Sequence, residues 1–142
     1  MNTMNNIIIQ NENKNNLKSI NNIYSSTEFE KDLVKLVNSN VKRFIKLFSR
    51  DLIRRNFEDF NRFEILNLDR KQRTKINGNN LYRYEYRNTS NLRCIYTIIN
   101  ENNIDKIFLL CAFNEDGDKT KGKKSYKDNI ERAIRIYLNI FS

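Results

Sequence analysis

Histidine and proline are absent from this 142-residue chain, and cysteine occurs only twice. Without histidine, the commonest metal ligand and the commonest general base are missing. That argues against a zinc enzyme or a Ser-His-Asp hydrolase. Cys94 and Cys111 are too few for a disulfide framework and lack metal-ligand spacing. Both sit in apolar runs, as reduced, buried small hydrophobes do. No apolar run approaches the ~20 residues of a membrane span. The start, MNTMNNIIIQNENKNN, has neither the basic head nor the long apolar stretch of a secretory signal. A soluble, cytoplasmic chain with no membrane contact is the expectation.

What is abundant is asparagine, lysine and isoleucine, a bias that an AT-rich genome also produces. The placing of charge therefore says more than the net +9. Residues 71–100 hold six basic residues against Glu85 alone, over half the excess in about a fifth of the chain. That is the footprint of a polyanion-binding surface.

The length suits one domain with a core of its own. Residues 1–25 read as an Asn-rich tail, with Ile20 to Tyr24 a candidate short strand, and residues 26–142 as a single domain. Capping-box spacings Ser25 to Glu28 and Thr27 to Glu30 open a helix with Phe29, Leu33, Leu36 and Val37 on one face. After Asn38-Ser39-Asn40 a second helix buries Val41, Phe44, Ile45, Phe48 and Leu52, and Phe57, Phe60 and Phe63 continue its spacing. Leu68 to Asn80 is a basic connector in which Lys71, Arg73 and Lys75 are near enough in sequence to flank a sheet.

Three strands come next. Leu81 to Arg87 alternates strictly, with Arg83, Glu85 and Arg87 on one face and Tyr82, Tyr84 and Tyr86 on the other. A three-residue loop, Thr89-Ser90-Asn91, pairs Arg87 with Arg93 and Tyr86 with Cys94, which keeps the tyrosine face apolar. Arg87 and Arg93 would then repel each other, so Glu85 or a bound anion is expected to compensate. Asn100 to Asn103 is a turn, and Ile107 to Phe113 an interior strand. The loop Asn114 to Ser125 carries Lys119, Lys121, Lys123 and Lys124 but fits neither an EF-hand nor a Walker phosphate loop. A final helix presents Ile130, Ala133, Ile134, Tyr137, Leu138 and Phe141 on one face.

The segments Leu81-Tyr-Arg-Tyr-Glu-Tyr-Arg87, Asn91-Leu-Arg-Cys-Ile-Tyr-Thr-Ile98, Ile107 to Glu115, and Tyr126 with Ile130 to Arg135 resemble the RelE/ParE superfamily of bacterial toxins, including its HigB-like relatives. The likeness covers roughly residues 70–138, is weaker over 27–60, and has no counterpart for 1–18. It implies an α+β, RelE-like fold: two N-terminal helices packed on a small, mainly antiparallel sheet of three to four strands, with a C-terminal helix. It also implies a toxin that cleaves mRNA on the ribosome, restrained by a cognate antitoxin protein. The ParE branch instead inhibits DNA gyrase, and a non-catalytic member would only bind an antitoxin.

By the resemblance, Arg83, Arg87 and Arg93 hold the phosphate, with Arg93 the leading candidate. Lys119 or Lys121 stands roughly where the family places a further cation after the last strand, and Tyr126 near its C-terminal tyrosine. Lys71, Arg73, Lys75, Lys121, Lys123 and Lys124 are candidate nucleic-acid contacts. The chemistry suits these residues. Metal-independent RNA cleavage uses the neighbouring 2′-hydroxyl as nucleophile, and guanidinium forks stabilise charge growing on the phosphate. Glu85, among arginines, is better placed as an orienting counter-ion than as a base. No metal or small-molecule cofactor is called for. The competing structural readings are an ion-pair ladder for the arginines and a core face for the tyrosines.

Overall fold

The computed structural model describes residues 4–8, 20–38, 43–44, 46–48, 63–85, 91–115 and 117–141. Its strands are β1 (Met4–Ile8), β2 (Ile20–Ser26), β3 (Phe63–Ile65), β4 (Tyr82–Glu85), β5 (Leu92–Glu101) and β6 (Ile104–Asn114). Its helices are α1 (Thr27–Val37), α2 (Arg70–Lys75) and α3 (Lys119–Phe141). The strands form one sheet in the order β1-β2-β6-β5-β4-β3. β2 runs parallel to β6 and every other neighbouring pair is antiparallel.

The architecture is α+β, but the expected layout of two N-terminal helices on a three- to four-stranded sheet is corrected. The sheet is mixed and six-stranded, and α1 is the one N-terminal helix delimited among the described residues. The sequence pattern hides a strand at each edge. β1 lies in the stretch that reads as tail, and β3 begins at Phe63, whose spacing reads as helical. Of the second expected helix, residues 43–44 and 46–48 are helical; Leu52, Phe57 and Phe60 lie outside the described residues.

Each face of the sheet carries its own core. On one, Phe29 and Leu33 of α1 meet Phe44, Phe48, Ile23, Tyr84, Leu92, Cys94 and Tyr96. On the other, Ala133, Ile134, Ile136 and Tyr137 of α3 cover Ile95, Phe108, Leu110 and Phe113. A bulge in β6 puts two consecutive residues, Leu110 and Cys111, on the α3 face. Ile95 is opposite Cys111 while Tyr96 is opposite Leu109, so Leu110 is the extra residue.

That bulge is held by α1. Pairing of β2 with β6 ends at Ser25 and Leu109, leaving backbone groups beyond it without a strand neighbour on that side. Ser26, the N-cap of α1, accepts from the Phe29 amide (2.9 Å) and donates to the Leu110 carbonyl (2.6 Å). Asp32, six residues on, accepts from the Ala112 amide (2.9 Å) and pairs with Arg132 of α3 (2.8 Å). The capping residue is thus Ser26 rather than Ser25 or Thr27, and the same hydroxyl ties the helix start to the bulge.

Turn chemistry fixes the rest. Asn102 and Asn103, with φ of 54° and 64°, close the β5–β6 hairpin as a two-residue turn with both residues left-handed. The supposed connector contains α2, opened by a capping box in which Asp69 and Gln72 exchange bonds of 2.7 and 3.0 Å. The supposed lysine loop is also shorter: α3 begins at Lys119, its first amides bonded to Asp118 (3.0 and 3.1 Å).

Both cysteines are free and buried. Burial raises the Cys94 thiol well above its ordinary range and pushes Cys111 up to about 12. The unfolded thiols ionise from about 9 and the folded ones do not, so this contribution to stability is complete below pH 9 and is lost as pH rises from 9 towards 12. The native chain is expected to resist a thiol reagent at pH 8 and to react at both cysteines once denatured, as counted by mass spectrometry.

Candidate functional site: an arginine–carboxylate cluster beside a cleft

The β4–β5 register places the charges. Glu85 stands opposite Arg93, Tyr84 opposite Cys94 and Tyr82 opposite Tyr96. This differs by two residues from the expected pairing of Arg87 with Arg93. A slip of two preserves which side chains share a face, so the tyrosine face keeps its apolar partners. It also replaces a like-charge pair with an opposite-charge pair, which is the better cross-strand neighbour.

Two arginines and three carboxylates converge among the described residues. Arg83 holds Glu64 of β3 through two nitrogens (2.8 and 3.1 Å) and Glu85 through Nη1. Arg93 pairs with Glu115 just beyond β6 (2.9 Å) and stands 3.8 Å from Glu85. Glu85 therefore bridges the two guanidinium groups. Burial alone would lower the Arg83 pKa; the bonds from Glu64 and Glu85 outweigh it, so the group is raised and stays charged.

Tyr126 of α3 joins the cluster from above, its ring edge-on to Phe113 at 5.1 Å. Its hydroxyl is buried beside Glu115, with no partner at ordinary hydrogen-bond geometry. Burial raises its pKa, with Glu115 adding to the rise and Arg83 and Arg93 opposing it. The phenol thus stays protonated at physiological pH.

A cleft of about 390 Å³ opens on this cluster, lined by Glu64, Arg83, Glu85, Glu115 and Tyr126, with Ile65, Leu66 and Asn67 along one side. Arg93 is absent from the lining. Its side chain is 9% exposed against 14% for Arg83, and it is held by Glu115 and the Leu92 carbonyl.

Of the sequence-based candidates, Arg83, Glu85, Arg93 and Tyr126 are brought together. Lys71, Arg73 and Lys75 are exposed on α2, while Lys121, Lys123 and Lys124 are exposed in the first turns of α3. Lys119 opens α3, and Arg87 lies outside the described residues. Two further carboxylates, Glu64 and Glu115, join Glu85 in facing Arg83 and Arg93, and neither was among the candidate site residues. Glu115 directly follows an apolar strand. Glu64 alternates with Phe63 and Ile65, a short strand signal hidden by the helical reading of Phe63.

No cluster of metal-ligating side chains occurs among the described residues, and no described helix is long and apolar enough to cross a membrane. Set against known proteins, the chain matches no family model, no curated protein and no solved structure.

Proposed function

We propose that this chain is the toxin of a toxin–antitoxin pair of the RelE/ParE kind, a ribosome-dependent, metal-independent mRNA endonuclease acting in the cytoplasm. The observation that carries the reading is the meeting of Arg83 and Tyr126 in one cleft. They stand on residues that resemble the family's strand and helix segments. In the reaction, the 2′-oxygen bonds to phosphorus and the bond from phosphorus to the 5′-oxygen breaks. The 2′-hydroxyl gives its proton to water, the 5′-oxygen takes one from water, and a 2′,3′-cyclic phosphate and a 5′-hydroxyl result. Arg83 supplies the fork for the phosphate oxygens. Tyr126 lines the cleft beside that fork, and its neutral phenol sets no negative charge against the phosphate.

The lysines of α2 and α3 support the same reading. Cations are disfavoured at a helix N-terminus, yet Lys119, Lys121, Lys123 and Lys124 all stand in the first two turns of α3. An RNA backbone, or the acidic segment of an antitoxin, gives them a counter-charge.

One observation favours a second reading, a non-catalytic member that binds only an antitoxin-like partner: both arginines already hold carboxylates. Induced expression in a bacterial host separates the readings. The nuclease stops growth and incorporation of labelled amino acids within about one generation. Continued protein synthesis with collapsed DNA supercoiling would point to gyrase instead. Unaffected growth under strong expression would point to the binding-only member.

A further inference from the structure

The carboxylates around Arg83 are not equivalent. Glu85 is about one-third exposed and is shared with Arg93, 3.8 Å away. Glu64 comes from a three-residue edge strand, is 51% exposed, and bonds only Arg83 among the described residues. It sits directly across the strand pair from Arg83 and grips the guanidinium through both carboxylate oxygens. That is the geometry in which an arginine fork takes a phosphate.

Resting on the reading of the cleft as an RNA site, we propose that Glu64 is a displaceable stand-in for the RNA phosphate: it fills the Arg83 fork in the free protein and swings to solvent when RNA enters. The exchange replaces one negative group by another, so the charge of the cluster does not change. Only a side chain need turn. The β3 backbone remains tied to β4 through its three paired residues and by the bond from the Leu66 amide to the Leu81 carbonyl (2.8 Å). A half-exposed ion pair is screened and weak, which makes Glu64 the carboxylate that gives way. Keeping the fork filled also holds Arg83 in its working orientation before RNA arrives.

The inference predicts a gain where loss of a structural ion pair would give none. Glu64→Gln keeps the side-chain shape and removes the charge that competes with RNA. It is expected to tighten binding of a labelled, non-cleavable 2′-O-methyl RNA 12-mer by about 3- to 10-fold in fluorescence anisotropy at fixed salt. Glu64→Asp, too short to fill the fork fully, is expected to shift affinity in the same direction. Glu131→Gln, the same charge change on α3, controls for general electrostatics and should shift affinity by less than about 2-fold. In an Arg83→Gln background the Glu64 substitution should do no more than the Glu131 one. If the unaltered chain binds the RNA and Glu64→Gln binds it equally or more weakly, the stand-in role is overturned and the RNA reading stands. If neither protein binds the RNA, free or presented on a programmed ribosome, both are overturned.

Discussion

Replacing Arg83 by glutamine is expected to lower ribosome-dependent mRNA cleavage by about 10²- to 10³-fold, the cost of removing one preorganised donor from a developing oxyanion. The fold should survive. Glu64 is half-exposed and can be solvated, and Glu85 keeps Arg93 at 3.8 Å, so the stability cost is about 1 kcal/mol. Arg93 behaves differently. Its side chain is 9% exposed, bonds the Leu92 carbonyl and Glu115, and does not line the cleft. Arg93→Gln should cost about 2 kcal/mol in denaturant unfolding, since it strips a buried ionic partner from carboxylates that water reaches only in part. Primer extension on programmed ribosomes and the unfolding midpoint together separate the two arginines. Equal cleavage by Arg83→Gln and the unaltered chain would reduce the cluster to a structural ion-pair network.

The second large effect belongs to the core. Phe48→Ala is expected to destabilise the chain by about 3–5 kcal/mol, through lost burial plus the cavity left behind. Phe48 is fully buried. Its ring stacks on Phe44 at 6.0 Å and meets Tyr84 and Tyr96 edge-on at 5.0 and 5.3 Å. Those tyrosines alternate with Arg83, Glu85 and Ile95 along β4 and β5, so the aromatic cluster fixes the plane from which the charged cluster projects. Against a typical total of about 5–15 kcal/mol the loss is a large fraction. It is read as a fall in the denaturant midpoint at unchanged slope. A change below about 1 kcal/mol would mean that residues 43–48 do not pack on the sheet.

Local pattern carried the centre of the fold. The alternation from Leu81 to Glu85 and from Leu92 to Ile99 separates the faces, and the apolar run Ile107 to Phe113 lies in β6, flanked by β2 as far as Leu109 and by β5 throughout. Face separation fixes only the parity of a register, however. A slip of two satisfies it equally, and the charges Glu85 and Arg93 decide between them. The edges were hidden because β1 is five residues long within an Asn-rich stretch and β3 is three residues long. The site was half visible. Cations can be counted along a chain, but their neutralisation cannot, because Glu64 and Glu115 reach Arg83 and Arg93 across 19 and 22 residues. Asp32 is the same case on the other side of the sheet, 100 residues from Arg132.

The central claim is tested most directly by adding the purified full chain to ribosomes carrying a defined mRNA and mapping the RNA ends. The account predicts new 5′-hydroxyl ends paired with 2′,3′-cyclic phosphates, formed by the unaltered chain and lost with Arg83→Gln. Intact mRNA, or cleavage that Arg83→Gln leaves unchanged, would contradict it.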